Sequence, residues 1–241
     1  MNQNGNKTKT VSHRGAGYRK AARQHLRESA ETKLRVADQC LDAMLAAADL
    51  IADTFRSGHK LLLCGNGGSA ADCQHMATEF VSRLTQDFDR PGLPAIALTT
   101  DTSFLTAFAN DSGYDGVFAR QVQALGKPGD LLVAISTSGN SSNVVRAVEV
   151  AQEASIRTIA FTGRGGRLAD MVDISIAVPS TNTNHIQEAH LAIEHALCHL
   201  VERILFAACV ESARPQLRMV TPQELSNRVA EKVRFRARKL S

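Results

Sequence analysis

Residues 61–83 read LLLCGNGGSAADCQHMATEFVSR, and the fold class turns on them. Three leucines and Cys64 make a short apolar run, Gly65, Gly67 and Gly68 interrupt it, and a helix-compatible segment opens at Ser69. This is a strand, a tight turn and a helix start. Glycines permit positive φ and close backbone approach. The free N–H groups of such a turn can therefore converge on an anion, helped by the positive end of the helix dipole. Further along the same helix His75 and Glu79 stand at i and i+4, which brings an imidazole and a carboxylate together on one face. Plain βα punctuation and a solvated ion pair would explain each half separately; their meeting on one element points to a site.

Strand, small-residue turn and helix recur downstream. Leu93–Thr99 reads as a second buried strand, Asp130–Ile135 as a third, Arg157–Phe161 as a fourth and Ile174–Val178 as a fifth. Between them, Asp101–Asp111 reads as a helix capped by Asp101, Tyr114–Leu125 as a second and Val144–Ala154 as a third. Such a chain specifies an α/β fold, a parallel five-stranded sheet covered by helices on both faces, with ligands gathering beyond the carboxyl ends of the strands. Upstream, Arg23–Ser57 carries Leu34, Val36, Ala37, Cys40, Leu41, Met44, Leu45, Ala48, Ile51 and Ala52 at helical spacing, which predicts one long helix. An apolar face of that length serves a neighbouring subunit as well as its own sheet, so a homo-oligomer is expected. A long last helix is expected over Asn184–Cys209.

The third strand runs into Ser136, Thr137, Ser138, Gly139, Asn140 and Ser141. One hydroxyl suffices to cap a helix, and here four lie between a buried strand and a helix start, suited to donate to a phosphate monoester. A pyrophosphate cradle would need bare glycines. GNGGS is only a loose dinucleotide fingerprint: Ala70 stands where the third glycine belongs and no acid follows at the ribose-gripping distance. A Walker loop is excluded for want of a Gly-Lys-Ser/Thr ending. On the last helix Gln187 and His195 are about 80° apart around the axis, but Glu194 is only about 20° from Gln187, so spacing alone does not choose between Glu194 and His195.

At 241 residues the chain suits one α/β domain, which at this size buries about 70% of the surface its unfolded form exposes. Hydrophobic content of 44% with no apolar run near the ~20 residues of a membrane span, and an amino terminus without an apolar h-region, give the expectation of a cytoplasmic protein. Five dispersed cysteines without metal-ligand spacing read as reduced core thiols. Charge is uneven. Residues 1–24 hold six Lys/Arg and no acid, and residues 212–241 hold eight against Glu224 and Glu231, so basic tails flank an acidic body although the whole chain is only +4. The tails carry a single aromatic that could interleave with bases, Phe235 (Tyr18 apart), so nucleic acid is not expected as a partner. The expected division is a disordered basic extension over residues 1–22, one domain over 23–211 and a basic appendage over 212–241, with a short helix at about 223–239.

Four stretches, GNGGSAADCQHMATE, LTTDTSFLTAFAND, ISTSGNSSNV and IQEAHLAIEHALCHLVE, in this order and at these separations, resemble the phosphoheptose (sedoheptulose-7-phosphate) isomerases of the sugar-isomerase, or SIS, superfamily. The resemblance spans about residues 25–210. It implies a flavodoxin-like sheet, a homotetramer with active sites between subunits, and interconversion of sedoheptulose 7-phosphate with an aldoheptose 7-phosphate through an enediol(ate). Carried over by position, the family's metal ligands, for one Zn²⁺ per subunit, fall on His75, Glu79, Gln187 and His195, and its catalytic pair on Glu79 and His195. Its sugar-phosphate contacts fall on Asn66, Gly67, Gly68, Ser69, Glu79, Arg83, Asn110, Asp111, Ser136, Thr137, Ser138, Ser141 and Gln187. Asn184 and His185 depart from the family pattern, in which an Arg commonly precedes Ile-Gln-Glu. The alternatives are a non-catalytic phosphosugar sensor or replication-initiator-associating scaffold of the same fold, or an isomerase of another sugar phosphate. Retention of Glu79 and His195 tells against the non-catalytic readings.

Overall fold

The computed structural model describes residues 13–86 and 88–213. Five parallel strands, β1 (Leu61–Gly65), β2 (Ala95–Ala97), β3 (Leu131–Ser136), β4 (Arg157–Thr162) and β5 (Ile174–Ala177), form one sheet in the order β2-β1-β3-β4-β5. That is the flavodoxin-like doubly wound order, whose switch point lies between β1 and β3. Leu61 pairs with Leu131 and Gly65 with Ile135 there, so the glycine turn and the serine turn leave the sheet side by side.

Near-continuous apolar strands are what a sheet covered on both faces requires, and alternate residues feed two separate cores. Leu61, Leu63, Leu131, Val133, Ile135, Ile159 and Phe161 face one side, packed by α2 (Leu41–Arg56), α3 (Gly68–Val81), the end of α1 (His13–Gln39) and the long α8 (Thr183–Ala213). Leu62, Cys64, Leu132, Ala134 and Ala160 face the other, packed by α5 (Val117–Leu125), α6 (Ser142–Glu153) and the short α7 (Arg167–Met171). Each fully buried leucine stabilises this arrangement by roughly 1.5–3 kcal/mol. The five expected strands are all present, within two residues of their expected ends. α4 (Thr102–Ser112) begins where Asp101 accepts the Phe104 N–H at 2.9 Å, the expected cap.

Three readings change. The stretch 23–57 is two helices rather than one: Cys40 leaves helical geometry at φ −112°, ψ 0°, and its thiol points to the Ala177 carbonyl at 3.4 Å. Neither glycine nor proline marks the break, which lies where α2 turns onto β1 and β5 while α1 follows α8. α1 begins at His13, so residues 13–22, expected to be disordered, are helical. The segment 114–125 is a 3₁₀ turn, Tyr114–Gly116, followed by α5. Residues 1–12 of the basic extension, and residues 214–241 with the helix expected at 223–239, lie outside the described residues. Cys40, Cys64, Cys73 and Cys198 are buried free thiols, as expected. No helix among the described residues is long and apolar enough to cross a membrane.

Candidate active site

Gly67 has φ +55° and ψ −120° and caps α3, a conformation that an L side chain resists, so the glycine there is required by the backbone. At Gly68 a side chain would have to displace a neighbour. A Cβ at Gly68 would fall 1.5 Å from Nε2 of Gln187, whose side chain lies directly over the start of α3. Ser69 is buried one residue further on. Asn66 exchanges two hydrogen bonds with Asn143 at the start of α6, each 2.8 Å, and its Oδ1 also accepts from the Tyr114 hydroxyl at 3.3 Å. The β1 turn and the β3 turn are thus fastened to each other.

In the serine turn, Ser136 Oγ lies 2.9 Å from Ser141 Oγ and 3.4 Å from Ser138 Oγ. The Asn140 N–H donates to Ser138 Oγ at 3.2 Å, and Gly139 takes φ +66°. Three hydroxyls therefore cluster at the N-terminus of α6, where the helix dipole favours an anion. Thr137 keeps its backbone carbonyl bonded to the Gly163 N–H at 3.1 Å.

His75 and Glu79 project from α3 toward His195 on α8. His75 Nε2 is 2.8 Å from His195 Nε2 and 3.5 Å from Glu79 Oε1. One ligand atom from each of the three lies within 4.8 Å of the others. Two imidazole nitrogens and a carboxylate oxygen at this separation can hold a metal ion and leave room in its coordination for a ligand. Helix spacing left Glu194 and His195 undecided; the structure separates them. His195 is exposed, whereas Glu194 is 0% exposed and neither carboxylate oxygen has a hydrogen-bond partner. Burial, with repulsion from Asp72, pushes the Glu194 carboxyl up to about 9, so it is held neutral.

Asp72 is the residue that sequence reasoning missed here. It stands three before His75 and seven before Glu79, on the same face of α3, a spacing that could have singled it out. Burial raises its carboxyl to about 6 against the opposing effects of a hydrogen bond from Gln187 and the nearby His75. Gln187 is accordingly engaged with Asp72, at a cavity of about 380 Å³ that His25 and Asn184 also line. His185, where the chain departs from the family pattern, is buried and its Nε2 meets His25 Nδ1 at 3.3 Å; His25 in turn meets Glu188 at 2.8 Å. Asn143 and Tyr114 were also missed, since only the fold brings them to Asn66.

The remaining expected contacts are looser. Arg83 follows the end of α3 and ion-pairs with exposed Asp89 at 3.0 Å. Asn110 donates to its neighbour Asp111 at 2.8 Å on the exposed end of α4. Asp111 also faces an open groove between α4, α5 and α6, away from the histidines.

Residues 24–163 match the SIS domain model. The chain is 54% identical over 179 residues to the phosphoheptose isomerase of Roseiflexus sp., covering 74% of this chain and 90% of that one, and 52% identical over 185 residues to the phosphoheptose isomerase of Thiobacillus denitrificans, covering 75% and 93%. The phosphoheptose isomerase structure from Neisseria gonorrhoeae superposes with a TM-score of 0.72 at 43% identity, covering 77% of this chain and 98% of that one.

Proposed function

Because the chain belongs to the phosphoheptose isomerase family of SIS-domain proteins, we propose that it converts sedoheptulose 7-phosphate to D-glycero-D-manno-heptose 7-phosphate. The observation that carries this reading is the approach of Glu79 and His195, from helices far apart in sequence, in a chain that also gathers serine hydroxyls at a strand end.

Ketose and aldose differ by one proton moved from C1 to C2 and one exchanged between their oxygens. Ser136, Thr137, Ser138 and Ser141 grip the phosphate dianion at the start of α6, with Asn66, Gly67, Gly68 and Ser69 lining the adjoining turn. Arg83, Asn110, Asp111 and Gln187 would complete the sugar contacts. Glu79 removes the proton from C1 and returns it to C2 of the resulting enediol(ate), and His195 gives a proton to O2 and takes one from O1. A carboxylate serves as the carbon base because it can reach both carbons from one side. An imidazole serves the oxygens because its two nitrogens exchange protons near neutral pH.

The N,N,O donor set of His75, His195 and Glu79 suits zinc, with Gln187 as a fourth ligand on releasing Asp72. Bound there, zinc would polarise the sugar carbonyl and stabilise negative charge on its oxygens. A homotetramer with sites between subunits is supported by the apolar residues that α1 and α2 leave exposed, Leu26, Leu34, Leu41 and Leu45. Incubating the purified protein with sedoheptulose 7-phosphate, with and without chelator, and following the product by NMR tests the reading. Aldoheptose phosphate is expected. A null result with sedoheptulose 7-phosphate but turnover of another ketose phosphate would reassign the substrate, and a null result with all would favour the sensor.

A further inference from the structure

Arg90 lies in the connection between α3 and β2, outside the residues assigned to the chemistry, and its side chain is only 1% exposed. Its guanidinium makes four hydrogen bonds. Nε donates to Glu202 Oε1 at 2.7 Å, Nη1 to the Phe80 carbonyl at 2.9 Å and to the Pro91 carbonyl at 3.0 Å, and Nη2 to the carbonyl of Glu79 itself at 2.7 Å. Glu202, 4% exposed, stands on α8 two helical turns beyond His195 and also accepts the Leu84 N–H at 3.1 Å. One buried charge pair thus joins the carboxyl-terminal carbonyls of the helix that carries His75 and Glu79 to the helix that carries His195.

The placement is economical in two ways. A cation at the end of α3 meets orphan carbonyls and the negative end of the dipole, so the guanidinium is held by charge as well as by geometry. Its planar fork can meet a carboxylate and several carbonyls at once, which an ammonium cannot. Stability alone does not require such a pair, because a well-packed apolar pair of similar volume is often as stabilising or more so. What the ion pair adds is direction: it fixes α3 against α8 at Glu79, and the His75–Glu79–His195 group exists only if those helices keep their spacing.

We propose that Arg90 and Glu202 form a positioning strut that sets Glu79 against His195, so that the pair governs turnover and metal affinity without touching the substrate. The inference rests on the isomerase reading for its kinetic arm, and cobalt(II) binding supplies an arm that does not. The double variant Arg90→Met/Glu202→Leu replaces the pair by apolar side chains. It leaves the Glu79 and Pro91 carbonyls and the Leu84 N–H without the partners the pair supplied, so it is expected to melt below the wild-type temperature while remaining folded, and to lose turnover of sedoheptulose 7-phosphate roughly ten- to a hundredfold in kcat with KM within about threefold, since about 1 Å of misplacement has that cost. In the same protein, cobalt(II) is expected to bind more weakly and with an altered visible spectrum.

Arg90→Lys and Glu202→Gln keep the volume and are expected to fall between, with Lys recovering part of kcat. A folded double variant with wild-type kcat and cobalt spectrum overturns the proposal. If the double variant does not fold, unchanged kcat and cobalt spectrum in Arg90→Lys and Glu202→Gln overturn it equally. A wild-type protein that binds cobalt but leaves the sugar unchanged would refute the isomerase reading alone, and the cobalt comparison would then decide the strut.

Discussion

The serine turn and the His75–Glu79–His195 group are built on opposite plans. The turn is local: its hydroxyls come from one run of six residues, hydrogen-bond one another, and depend on little beyond β3 and α6. The histidine–glutamate group is assembled from two helices 120 residues apart at His75 and His195, and is backed by buried charged or titratable groups such as Glu194 and Arg90. A contiguous turn can bind an anion in any protein that supplies a strand and a helix start. A proton-transfer pair needs distances fixed by the whole fold. The two should therefore fail separately.

Glu79→Gln breaks the group and spares the turn. Turnover is expected to fall roughly 10³-fold, within the range general acid–base groups contribute, while stabilisation against heat by inorganic phosphate is unchanged. Loss of phosphate binding in the same variant would show that the regions are not independent. The converse change, Ser136→Ala with Ser141→Ala, removes two donors to a charged group and should raise KM about 30- to 100-fold with kcat within a few-fold. Steady-state kinetics distinguish the outcomes. Gly68→Ala tests the contact between them. The new methyl group meets the Gln187 amide, so chemical denaturation should show a loss of about 1–2 kcal/mol.

Smallest is the effect of the buried acid behind His195. Glu194 has a folded pKa above its unfolded value, so the folded state holds a proton that the unfolded state releases. Wild-type stability is then undiminished below the ordinary carboxylate range and declines as pH rises toward about 9. Glu194→Gln should remove that decline, with a gain of about 1 kcal/mol at pH 7, the unmet hydrogen bonds of the amide offsetting the rest. Melting temperatures at pH 5, 7 and 8.5 report it; parallel curves for the two proteins would show that the carboxyl is not held neutral.

The same difference governs what was legible. Strand positions, the Asp101 cap and the serine turn are written in neighbouring residues, and periodicity with turn chemistry recovers them. His75 and Glu79 could be paired because one helical turn separates them. His195 could not be chosen over Glu194 by spacing, since both lie within about 80° of Gln187 and only packing decides which faces the core. The resemblance to the isomerases selected His195, which the structure places beside His75 and Glu79 while Glu194 is turned into the core. The division at Cys40 escaped because no residue there disfavours a helix; it lies where α2 turns onto the sheet. Asp72 was legible and overlooked, while Asn143, Tyr114 and Arg90 acquire meaning only from partners distant in sequence.

The paired amides of Asn66 and Asn143 have a mechanical corollary. They rivet the exit of one strand to the exit of its neighbour at the place where the winding of the sheet reverses. The loop that carries the clustered hydroxyls and the loop from which the helix of His75 and Glu79 departs are thereby held in register through one pair of side chains.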